Sequence, residues 1–121
     1  MSIPTKPAAT WRILVDQGKT FDRTLIYKVG GVPFDNSAYE ARMKVRRNYN
    51  SLVPALSLSS VAGEIILGGA NGQIGWVVSA IDMEDLIGEY VYDLELYDPT
   101  DPDIVIGVVR GTIVSRAEVT Y

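Results

Sequence analysis

Three carboxylates fall within six residues at Asp98, Asp101 and Asp103. Oxygen ligands at that density are what a hard cation such as Ca²⁺ takes. A helix-loop-helix calcium site needs a different order. Pro99 and Pro102 stand where such a loop needs backbone freedom, and no glutamate follows at the spacing for bidentate closure. A solvated acidic turn is the better reading, with the three aspartates kept as the metal candidate. Paired carboxylates can also serve a glycosidase, but a small β domain with this many acidic residues supplies such pairs by chance.

A second constellation is basic. Arg42, Lys44 and Arg46 alternate along one stretch with Arg47 beside them. On a strand they share one face, suited either to docking an acidic partner or to staying solvated and discouraging edge aggregation. Glu89, Asp93 and Glu95 alternate in the same way further on, with Tyr97 in their phase. These eight residues are the candidates for protein docking. Tyr90, Tyr92 and Tyr97, with Trp11 and Trp76, raise the question of stacking platforms for sugars or bases. Aromatics at strand spacing more often pack a core, which leaves Tyr97 as the outward one. Gly68, Gly69, Gly72 and Gly75 lack the Gly-Lys-Ser/Thr ending of a phosphate loop and precede a strand pattern, so they read as a hairpin turn.

Composition then narrows the chemistry. The 121 residues contain no cysteine and no histidine. Ser-His-Asp and Cys-His catalysis, thiol redox chemistry and zinc sites built on nitrogen or sulfur are thereby excluded, as are disulfides. With 47% hydrophobic residues the chain is long enough to bury a core of its own. MSIPTKPAAT has no apolar run of signal-peptide length, and no window reaches the length of a membrane helix.

Charge is divided along the chain. Residues 1–47 hold nine Lys/Arg and four Asp/Glu, whereas residues 48–109 hold ten acidic residues and no basic one. If that division survives folding, a basic face on one copy can meet an acidic face on the next. The net charge of −4 argues against general nucleic-acid binding.

The elements that position these residues are strands. Trp11–Val15 and Thr20–Lys28 read as strands separated by Gln17-Gly18, and could form one bulged edge strand. Tyr39 to Arg46 alternates cleanly, with Tyr39, Ala41, Met43 and Val45 inward. Ala55–Leu58, Glu64–Leu67 and Gln73–Val78 follow, the last two paired through a tight Asn71-Gly72 turn. Ser79-Ala-Ile-Asp82 resembles a capping box for a short helical turn ending at Gly88. Glu89 to Tyr97 alternates again, with Tyr90, Tyr92, Leu94 and Leu96 inward. Asp98 to Asp103 reads as a loop, and Ile104 to Ser115 as a long strand with Gly107 and Gly111 at bulge or close-approach positions. The strand spacing is that of an all-β sandwich or small barrel, and the expected fold class is all-β: a single antiparallel β-sandwich over residues 11–121, with at most one helical turn near 80–87. Residues 1–10 read as an extended N-terminal arm.

One series of residues carries a resemblance. Trp11-Arg-Ile13, Gln17-Gly18-Lys-Thr20-Phe21, Gly31-Val-Pro33, Tyr39-Glu-Ala-Arg42-Met43-Lys-Val-Arg46, Gly88-Glu-Tyr90-Val-Tyr92-Asp93-Leu94-Glu-Leu96 and Arg110-Gly111 through Val119-Thr120 follow in order. The series is similar to small tail and baseplate structural proteins of tailed bacteriophages, and to N-terminal domains of larger ones. Asp35-Asn-Ser-Ala38-Tyr39 departs from that group by reaching the tyrosine without a glycine. The resemblance implies an immunoglobulin-like or related β-sandwich serving as a virion building block, and brings no catalytic residues.

The expectation is therefore a non-enzymatic structural protein of the bacteriophage virion, in the tail or baseplate and assembled in the host cytoplasm. It would act as an oligomer docked to other virion proteins, with no cofactor, nucleic acid or membrane. The alternatives are a capsid decoration protein and a carbohydrate- or host-surface-binding module.

Overall fold

The computed structural model of the chain describes residues 8–117. Most of the expected arm, residues 1–7, and the end of the last resemblance segment, Val119-Thr120, lie outside the described residues. In chain order the elements are β1 (Ala9–Thr10), β2 (Ile13–Asp16), β3 (Phe21–Ile26), β4 (Lys28–Val29), β5 (Val32–Pro33) and β6 (Glu40–Arg46). They continue with β7 (Leu56–Ser59), β8 (Ile65–Leu67), β9 (Gln73–Val78), α1 (Ala80–Met83), β10 (Gly88–Asp98) and β11 (Asp101–Arg116). The chain is mostly β. One six-stranded sheet runs β1-β11-β10-β6-β7 with β2 also paired to β11, and a three-stranded sheet runs β3-β9-β8. A small ribbon of β4 and β5 turns through Gly30 and Gly31, which hold positive φ of 61° and 79°.

The six-stranded sheet is mixed, and this corrects the expectation of wholly antiparallel strands. Both β1 and β2 pair parallel to β11, Ala9 opposite Val109 and Ile13 opposite Ile113. They form one edge interrupted at Trp11-Arg12, where the Trp11 N–H donates to the Arg110 carbonyl (2.9 Å). Nor are β2 and β3 a single bulged strand. The turn at Gly18, φ 71°, carries the chain from one sheet to the other.

Alternation places the core. Ala41, Met43 and Val45 on β6 and Tyr90, Tyr92, Leu94 and Leu96 on β10 are buried, and half-buried Tyr39 packs against them, as the period-two pattern requires. Ile65, Ile74, Trp76, Val78 and Phe21 from the three-stranded sheet join the same apolar cluster. Trp76 meets Phe21 of its own sheet at 6.0 Å and, edge-on at 6.3 Å, Trp11 at the break between β1 and β2, so an aromatic contact links the three-stranded sheet to the parallel edge of the other. Tyr92 donates its buried hydroxyl to the Trp11 carbonyl at 2.7 Å, and burial raises its pKa.

Turn chemistry joins these strands. The β8–β9 connection is longer than the tight Asn71-Gly72 turn expected. Gly68–Gly72 contains a 3₁₀ turn at Gly69–Asn71, and the positive φ values belong to Gly69 and Gly72 rather than to Asn71. Asn71 instead accepts the Gln73 N–H on Oδ1 (2.9 Å), a side-chain mimic of a backbone turn. At α1 Ser79 Oγ accepts from the Asp82 N–H, as the capping reading expects, but the helix ends at Met83 with Glu84 as its C-cap, and Gly88 begins β10 rather than closing the turn.

Candidate docking face on the six-stranded sheet

The outward residues of β6, β10 and β11 stand in rows across the sheet. Cross-strand register puts Arg42 opposite Glu95, and Lys44 opposite Asp93, with Arg110 on the other side of Asp93. Arg46 stands opposite Val91 one row further. Because β6 and β10 are neighbours, the basic and acidic segments of the sequence meet on one face. The charge division along the chain does not survive folding as separate basic and acidic faces. Residues directly opposite in an antiparallel pair approach closely enough to interact, and these opposite charges do so within one chain.

The partners are specific. Arg42 Nε donates to Glu95 Oε1 at 2.9 Å, and its guanidinium lies 4.7 Å from the centre of the Tyr97 ring. Lys44 Nζ donates to Ser57 Oγ (3.1 Å) on β7, and Arg46 Nε to the Ser51 carbonyl (3.2 Å). Asp93 titrates above the ordinary aspartate value, first because burial penalises its charge and then because Glu95 is near; Arg46, Arg110 and Arg42 pull the other way. Together Arg42, Lys44, Arg46, Tyr49, Val91, Asp93 and Glu95 line an open groove of about 330 Å³.

Not every sequence candidate belongs to this groove. Arg47 straps the start of β10. It donates to the Ile87 carbonyl (2.9 Å) and the Glu89 carbonyl (3.3 Å), and its guanidinium stacks 4.3 Å from the Tyr90 ring centre. Glu89 is exposed opposite Val114, beyond the groove. Tyr97 is half-buried beneath Arg42, so its ring is covered rather than offered for stacking.

The acidic segment also differs from expectation. Asp98 pairs with Asp101, so Pro99-Thr100 is a two-residue hairpin turn, and Asp101 to Asp103 begin β11 instead of a long loop. Pro102 is tolerated because the register shifts between Tyr97 and Asp98, leaving it in a bulge. Asp98 Oδ1 accepts the Thr100 N–H and hydroxyl, both at 2.8 Å, and Asp101 Oδ1 accepts the Asp103 N–H at 3.0 Å. Among the described residues no three carboxylates group to hold a metal ion. The aspartates close local turns instead of converging on a cation.

Two residues of the face escaped the sequence reading. Arg110 falls in the inward phase if alternation is counted from Ile104. A bulge shifts the register between Leu94 and Glu95, so Val108 and Val109 are both buried and Arg110 turns outward. Tyr49 sits on the β6–β7 loop, where no period applies, and its ring lies 5.3 Å from the Arg110 guanidinium. Gly107, which the sequence marks as a bulge or close-approach position, was the available signal for the bulge: it pairs with Glu95 on the far side of the shift.

No protein-family model and no curated protein matches this chain. Among the described residues, no helix is long and apolar enough to cross a membrane.

Proposed function

We propose that this chain is a non-enzymatic building block of a bacteriophage particle, placed in the tail or baseplate, with an immunoglobulin-like β-sandwich fold. The strand order supports the fold. One sheet has an edge parallel to β11 followed by β10, β6 and β7, and the other has β3, β9 and β8, which is the strand division of immunoglobulin-like domains. Tyr90 supports it further: near the start of β10 its hydroxyl accepts the Ile87 N–H three residues upstream (3.2 Å), as in a tyrosine corner.

One observation carries the functional reading: the two outward faces differ in kind. The six-stranded sheet presents the charged rows, whereas on the three-stranded sheet Thr24, Ile26, Ile66, Gly75 and Val77 make a largely apolar face that also carries Gln73 and the carboxylate of Asp22. There Ile26 is 55% exposed, Ile66 64% and Val77 56%. Unlike faces on one subunit favour heterologous contacts, which close into rings or extend as helices. Rings and helices are the assemblies a tail is built from, which supports the tail reading. The resemblance of the Trp11, Gly18, Phe21, Tyr90, Tyr92 and Gly111 series points the same way, since these residues build strands, turns and core.

Cryo-EM of intact particles tests the proposal. Density for this chain in a symmetric ring of the tail or baseplate is expected. Placement on the head would make it a decoration protein, and absence from the particle would remove the structural role.

A further inference from the structure

We infer that the groove on the six-stranded sheet docks a carboxylate-rich polypeptide segment. The inference rests on the docking role above and names the chemistry of the partner. Four cations, Arg42, Lys44, Arg46 and Arg110, stand in or beside the groove against two carboxylates, Asp93 and Glu95. Arg42 is consumed by Glu95. Lys44 and Arg110 flank the single Asp93, and Arg46 faces the uncharged Val91. The unmatched positive charge is thus concentrated in two adjacent rows, over Asp93 and Val91.

Donor geometry favours carboxylates there. Arg46 spends one N–H on Ser51, and a guanidinium has five donors in a planar fork that matches a carboxylate. The rim favours a peptide. Tyr49 lines the groove, is 60% exposed and holds its ring 5.3 Å from the Arg110 guanidinium, and Val91 lines the floor, giving apolar contacts next to the cations. A nucleic-acid strand carries charge of the same sign and is the competing occupant that the test separates from an acidic peptide.

The test is an NMR titration of the ¹⁵N-labelled chain with a short glutamate homopeptide, a lysine homopeptide and an oligothymidylate of equal charge. The expected result is glutamate-specific shifts at Lys44, Asp93 and Arg110, weakened by physiological salt, which screens over about 8 Å. The double variant Lys44→Glu/Arg46→Glu should lose about tenfold or more in affinity, with thermal unfolding showing that it still folds. Asp93→Asn should bind more tightly, a gain that no loss of structure can mimic. Tighter binding of the oligothymidylate, absence of shifts on this face, or no gain in Asp93→Asn would overturn the inference. Concentration-dependent self-association abolished by the double variant would also overturn it, by making the groove a contact between copies. A silent groove in a protein located in the tail would leave the structural role standing.

Discussion

Gly111 packs so closely on Trp11 that a β-carbon built on the glycine would stand 2.3 Å from the Trp11 carbonyl oxygen. The same glycine holds φ of 155°, a conformation side chains rarely adopt. It sits opposite Tyr92, whose hydroxyl donates to that Trp11 carbonyl, so one small residue lets the parallel edge, β11 and the core tyrosine close on one another.

Gly111→Ala should therefore destabilise the chain by about 3 kcal/mol, from backbone strain and overpacking together. Urea unfolding monitored by tryptophan fluorescence would measure this. A loss no larger than a surface substitution, about 0.5 kcal/mol, would mean that the edge can move away from β11.

Leu94 is 0% exposed at the centre of β10, beside Met43 on β6 and Val109 on β11. Leu94→Ala should cost about 2–5 kcal/mol, depending on how far the site collapses. Glu95→Gln, one residue along on the outward face, removes an ion pair whose partners are 40% and 30% exposed and should cost about 0–1 kcal/mol. Equal effects of the two changes in urea unfolding would reverse the assignment of faces on this strand.

Those faces were legible in the sequence because β6 and β10 each have one wet and one dry side, and strict alternation follows from that alone. The parallel edge was not legible. The partner of β2 lies about a hundred residues away, and nothing local distinguishes a parallel from an antiparallel neighbour. Outward Arg110 was hidden by the bulge before it. The separated charge blocks misled for a related reason, since order along the chain does not determine which strands become neighbours. Ser79, by contrast, acts through its immediate neighbours, and so the start of the short helix could be placed; its end could not, because the helix stops at Met83 with Glu84 as its C-cap and Gly88 opens β10 instead.

Asn36 is a buried polar residue, 1% exposed, that the strand pattern gave no reason to single out. Its Oδ1 accepts the Gly69 N–H (2.8 Å), its Nδ2 donates to the Gln73 carbonyl (3.1 Å), and its own N–H donates to the Gly69 carbonyl (3.1 Å). It thereby ties the β5–β6 connection to the β8–β9 turn. Asn36→Ala strands two backbone groups away from water and should cost about 1–3 kcal/mol for each left unpaired. Hydrogen exchange should show the Gly69 amide losing protection first. Unchanged protection there would mean that another group holds the turn.

Asp98 and Asp93 should respond to acid with opposite signs. The Thr100 backbone N–H, followed by its hydroxyl, holds the Asp98 carboxyl below the ordinary value. Its contribution to stability is present above the unfolded-state pKa and is lost as pH falls through the lower folded value. Burial, with Glu95 nearby, raises Asp93. Its contribution is present below the unfolded-state pKa and is lost as pH rises through the higher folded value. At neutral pH, Asp93→Asn should therefore stabilise the fold slightly and Asp98→Asn should weaken it, both differences shrinking in acid. Carboxyl-carbon NMR titration measures the two sites directly. Asp98 should titrate below Asp93, and Thr100→Val should move Asp98 upward while leaving Asp93 in place. Titration of the two aspartates at the same pH would remove the asymmetry and the sign difference that rests on it.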